Sequence, residues 1–124
     1  MESSEFDRLP PRVRERLSRL QQLQETLRTL MLQRQGLELE LSETERALKE
    51  LTEIPSDTAV YKSIGAFLVK KDKESIVEEL NERKELLSMR IKVLGRQEEK
   101  TKARVKELQG LLQRDLGLRA STKP

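Results

Sequence analysis

The sequence predicts a mainly α fold: an antiparallel two-helix coiled coil with one β-hairpin at the helix connection, whose copies assemble into an inter-subunit β-barrel. Three observations carry this reading. Two heptad blocks of nearly equal length flank a short apolar segment centred on one glycine, and the composition lacks what would fill a compact core. Of 124 residues, 38% are charged, 2% are aromatic and 22 are leucine. Burial must therefore come from aliphatic contacts repeated along extended helical surfaces.

Residues 1–9 read as a polar N-terminal tail. Pro10 and Pro11 then fall where proline is tolerated, in the first turn of a helix. With Val13 as heptad position a, the a series runs Val13, Leu20, Leu27, Arg34, Leu41, Leu48 and the d series Arg16, Leu23, Leu30, Leu37, Thr44, Leu51. Nine of these twelve are apolar, and Pro55 ends the pattern, so the first coiled-coil helix spans residues 10–53.

Residues 54–72 form the connector. Its core, Ala59 to Lys71, is rich in strand formers and holds every aromatic but Phe6, with Gly65 placed to take positive φ in a tight turn. That is a β-hairpin, where a plain linker would be shorter and polar. A lone two-stranded hairpin is marginal in water and leaves both edges open. Copies pairing edge to edge into a barrel would close the edges and bury Val60, Ile64, Phe67 and Val69 around the Gly65 turn.

The second helix, residues 73–116, starts after Asp72, a suitable N-cap, with Glu74 near the positive end of the helix dipole. Its a series is Val77, Lys84, Ile91, Glu98, Val105, Leu112 and its d series Leu80, Leu87, Leu94, Thr101, Leu108, with eight of eleven apolar. Residues 117–124 read as a flexible C-terminal tail. At about 1.5 Å per residue each helix would reach about 65 Å. Folding back pairs residues whose numbers sum to about 126, bringing Val13 near Leu112 and Met31 opposite Gly95. Gly36 and Gly110 have no such explanation.

Chemistry is narrowed by what is missing. The chain has no histidine and no cysteine, which removes thiolate catalysis, disulfides, Cys/His metal sites and histidine acid–base arrangements. The five glycines stand singly, with no Gly-rich run before a Lys-Ser or Lys-Thr pair, so neither a nucleotide nor any other cofactor is expected. With 25 basic and 22 acidic side chains the charge is too balanced, and aromatics too few, for nucleic acid to be the partner. The longest apolar run, Ala66 to Val69, is far too short to span a membrane, and the N-terminus has no signal-like segment. No catalytic residue, metal or membrane contact is expected, and the location should be cytoplasmic.

The segments Leu20-Gln21-Gln22-Leu23-Gln24, Val60-Tyr61-Lys62-Ser63-Ile64-Gly65 with Phe67-Leu68-Val69-Lys70, and Arg96-Gln97-Glu98-Glu99 together resemble the prefoldin family, in particular its archaeal beta class. The similarity covers residues 9–112. The heptads alone are unspecific; the hairpin around Gly65 between matched helices is distinctive, and one hairpin rather than two favours the beta class. The resemblance implies an ATP-independent chaperone without enzymatic activity. It implies a hexamer of two alpha and four beta subunits, with hairpins in a double β-barrel and coiled coils hanging from it. Such a complex holds unfolded proteins at the coiled-coil ends and delivers them to a group II chaperonin.

Under that reading the client-binding residues are Leu9, Val13, Leu17, Leu111, Leu112, Leu116 and Leu118, an apolar set larger than one seam can bury. Lys100, Lys102, Arg104 and Lys106, beside Arg12, Arg14, Arg16 and Arg19, would steer docking on an acidic chaperonin. Leu32 and Leu39, at outward f positions, read as plain exposed leucines. The competing class is a structural coiled-coil tether or scaffold, which has no use for an apolar hairpin.

Overall fold

Two adjacent prolines decide where the first long helix begins. In the computed structural model, which describes residues 2–117, helix α1 (Glu2–Arg8) stops ahead of them and α2 (Pro11–Glu53) starts on the second. Pro11 occupies the first helical position, where a missing N–H costs nothing. The Pro10 carbonyl accepts the first helical bond, from the Arg14 amide at 3.1 Å. Residues 2–8, expected to be a tail, are thus helical instead. The segment contains no glycine, proline or β-branched residue to oppose a helix, and Arg14 lies 4.0 Å from Asp7.

Glu53 ends α2 two residues before Pro55, and the Thr58 amide closes a turn onto the Pro55 carbonyl at 3.0 Å. Strands β1 (Val60–Ile64) and β2 (Phe67–Lys71) pair antiparallel, with Ile64 opposite Phe67. Only Gly65 and Ala66 connect them. Gly65 has φ +57° while Ala66 has no positive φ, the signature of a type II′ turn with glycine first. Helix α3 (Lys73–Asp115) follows. The Asp72 carbonyl accepts its first bond, from the Ile76 amide at 3.1 Å, which puts Asp72 at the N-cap. Gly117, at φ +73° with its amide on the Arg114 carbonyl, caps the far end.

The chain divides into two units: a hairpin unit, Arg34–Val93, and a chain-end unit, Met1–Gln33 with Leu94–Pro124. Within each, the heptads describe the packing. Every a and d position from Val13 to Leu51 and from Val77 to Leu112 is buried or half-buried. The seam cores are Leu37 and Leu87 in the hairpin unit, and Val13, Leu23 and Leu112 in the chain-end unit. Inter-helix ion pairs sit in the expected register, Arg83 with Glu40 at 2.8 Å and Lys84 with Glu45 at 3.7 Å in one unit, Arg12 with Asp115 at 3.4 Å in the other.

The seam is not wholly apolar. Thr44 and Thr101 are buried, but each hydroxyl donates to the carbonyl one turn back, Glu40 and Gln97, at 2.8 Å, so neither threonine demands anything of the opposite helix. Glu98 is also buried at an a position. Polar seam residues of this kind specify register at some cost in stability. One expected contact is absent: a methyl added at Gly95 would meet no atom within 4 Å. The Met31 thioether therefore does not use the space left by the missing side chain, although both residues are half-buried.

Candidate functional site

The hairpin register sorts its side chains onto two faces. Directly paired residues share a face and successive pairs alternate, so Val60, Ile64, Phe67 and Val69 fall together with Lys62 and Lys71. Tyr61, Ser63, Leu68 and Lys70 form the opposite face. The four apolar residues singled out from sequence are thus brought onto one surface, and three of them are open: Phe67 is 74% exposed, Ile64 48% and Val69 37%. Val60 is half-buried. Tyr61 and Leu68 make the second face apolar as well, a feature that strict alternation along each strand could have revealed. Lys62 holds the hairpin to α3 through Glu79, and the Lys73 ammonium donates to the Ile54 carbonyl at 3.0 Å, fastening the end of α2. The hairpin is thus held in place, carries exposed apolar residues on both faces and leaves both edges unpaired.

In the chain-end unit the predicted client residues separate by burial. Val13 and Leu112 close the seam at 2% and 5% exposure, while Leu9, Leu17 and Leu111 are half-buried beside it. Leu116 is open, and Leu118 lies outside the described residues. The expected set is thus divided between residues closed in the seam, Val13 and Leu112, and an open one, Leu116. Beside them stands Asp115, which continues the d series one step past Leu108. Its carboxylate is 9% exposed and accepts from the guanidinium groups of both Arg12 and Arg16.

A profile of the prefoldin subunit family matches residues 14–118. The chain belongs to the prefoldin subunit family. Its relatives place it in the beta class: it is 47% identical to prefoldin subunit beta of Archaeoglobus fulgidus over 85% of this chain and 90% of that protein. It is 41% identical to prefoldin subunit beta of Methanothrix thermoacetophila over 88% of this chain and 91% of that protein. The crystal structure of the prefoldin beta subunit from Thermococcus strain KS-1 superposes with a TM-score of 0.79 at 37% identity, covering 94% of this chain and 97% of that one. Prefoldin subunits are chaperone components, and beta subunits work within hetero-oligomeric prefoldin complexes.

Of the basic residues considered for docking in this prefoldin subunit, Lys100, Lys102, Arg104 and Lys106 are all exposed along α3. Lys102 approaches Glu99 at 3.7 Å. The first-helix arginines are more committed: Arg12 and Arg16 serve Asp115, and Arg14 stands beside Asp7. A shallow groove of about 520 Å³ runs between Arg12, Glu15, Arg19 and Gln22, with Leu108 contributing its apolar part. Sequence reasoning missed one set, Leu86, Met89 and Val93, which are 56%, 65% and 48% exposed on α3. Their helical spacing outside a and d was the available signal. Among the described residues no helix is long and apolar enough to cross a membrane.

Proposed function

We propose that this chain is a beta subunit of a hexameric, ATP-independent holdase of two alpha and four beta subunits. It captures unfolded proteins through apolar residues of its chain-end unit and delivers them to a group II chaperonin in the cytoplasm, without catalysis. The observation that carries the reading is the hairpin. Its apolar residues are on the outside, on both faces, of an element with two free edges. Such a surface is stable in water only when other subunits cover it.

Capture is supported by Leu116 at the surface and by Leu9, Leu17 and Leu111 half-buried around Val13 and Leu112. A modest separation of the helix ends would add the two buried residues to that surface. Delivery is supported by the exposed series Lys100, Lys102, Arg104 and Lys106, whose charge suits steering toward an acidic rim. The test is suppression of aggregation. The chain assembled with its alpha partner is added, without nucleotide, to a chemically unfolded protein diluted from denaturant. Suppression at near-stoichiometric complex supports the reading; assembly with no suppression refutes it. Replacing the four basic residues with glutamine should slow chaperonin association and flatten its salt dependence while leaving suppression intact.

A further inference from the structure

Leu86, Met89 and Val93 lie three and four residues apart, at heptad positions c, f and c, so they form one ridge on the side of α3 turned away from the seam. The a and d positions alongside are Leu80, Lys84, Leu87, Ile91 and Leu94, which leaves the ridge with no role in pairing α3 to α2. It is not flat. Met89 is part of the wall of a groove of about 460 Å³ that also involves Asn81, Lys84, Glu85, Ser88 and Lys92. Apolar surface therefore borders a polar channel carrying both signs of charge.

We infer that this ridge is a second capture site, for aliphatic segments of unfolded polypeptides, distinct from the chain-end residues. The inference rests on the chaperone reading above. The occupant follows from size and chemistry. Three half-exposed side chains offer at most about a few hundred Å², against roughly 800 Å² per partner in a stable folded complex, which is too little to hold a second folded copy or a globular partner. A short aliphatic stretch of an extended chain matches it. The methionine at the centre is unbranched and adapts to segments of no fixed shape. The groove beside it supplies an amide, a hydroxyl and charges of both signs for the backbone of such a segment. Weak binding at one ridge becomes useful when several subunits present it to one long chain.

The chain has no cysteine, so a single one can be placed without competition. In the complex assembled with the alpha partner, M89C and, separately, L116C carry a photoactivatable cross-linker. The probe is a reduced, carboxymethylated protein that stays unfolded without denaturant, with the same protein in its native fold as control. The inference requires M89C to cross-link the unfolded probe and not the folded one. It also requires the L86Q/M89Q/V93Q complex, still helical and assembled, to need about threefold more material for half-suppression of aggregation. Cross-linking at L116C alone would overturn the ridge and leave the chaperone reading standing. No cross-link at either position, with no suppression, would sink both. Cross-linking of M89C to another subunit, or equally to the folded control, would assign the ridge to assembly or to unspecific adhesion, and either overturns the inference.

Discussion

The hairpin unit and the chain-end unit handle their apolar residues in opposite ways. At the chain ends Val13 and Leu112 are nearly sealed, Leu17 and Leu111 are half-buried, and Arg12 and Arg16 both pair with Asp115. In the hairpin Phe67, Leu68, Tyr61 and Ile64 stand in solvent. The helices can satisfy their own aliphatic surface by folding back, whereas two strands cannot. The contrast separates apolar surface the chain covers by itself from apolar surface it leaves open, and under the function proposed above it gives stability to the seam and association to the hairpin.

The strongest way to break that division is I64S/F67S/V69S. If each side chain is fully covered in the complex, its loss costs about 1.5 to 3 kcal/mol, so the assembled complex should come apart while far-UV circular dichroism stays helical. Light scattering that still shows full-size complex would remove the hairpin from its assigned role. The converse is L87A. Leu87 is 3% exposed in the seam, and truncation there should lower unfolding free energy by about 2 to 5 kcal/mol. At a temperature where the variant is folded, it should assemble normally; loss of assembly would show that the two roles are not separable.

Most of this was legible in the heptads. A 3.5-residue repeat placed the helices and their register, because only one choice of a and d keeps the seam facing its partner over forty residues. Gly65 located the turn, since a two-residue hairpin loop needs positive φ where glycine supplies it without strain. The short α1 helix was not legible, because Pro10 and Pro11 mark the start of α2 and the single Phe6–Leu9 spacing before them is too short to define a period. Asp115 was missed because an acid at a seam position looks like the end of the pattern; only the arginines at 12 and 16 make it a member. The burial of the proposed capture residues was not legible either. Heptad position predicts that Val13 faces the other helix, and gives no information on whether the helix ends stay together.

Smaller effects sharpen the chain-end half of the comparison. D115N keeps the shape but weakens the acceptance of two guanidinium groups, at about 1 to 3 kcal/mol. Amide hydrogen exchange around Val13 and Leu112 should speed up while that around Leu37 and Leu87 is unchanged. Faster exchange accompanied by better client suppression would identify opening as the step that exposes the capture surface. Uniform exchange across both units would mean that Asp115 seals nothing local. The smallest expected changes are G36A and G110A. An added methyl meets no atom within 4 Å at either position, so each should gain about 0.5 to 1 kcal/mol from helix propensity alone. Thermal melts should rise by a few degrees; a fall would reveal a tight approach at that glycine in the assembled state.

The fold-back also sets an order of formation. Lys62 and Glu79 are 17 residues apart in sequence, whereas Arg12 and Asp115 are separated by 103. Closing the longer loop directly costs about 1.5 kcal/mol more entropy than closing the shorter, so pairing is favoured to begin beside the Gly65 turn and to proceed one helical turn at a time. During synthesis the first fifty residues must wait as an unpaired amphipathic helix until the second helix emerges. By the same reasoning the chain ends join last, and opening on warming is expected to begin there. Until that zipper has run its length, a nascent subunit exposes the apolar seam of its own first helix.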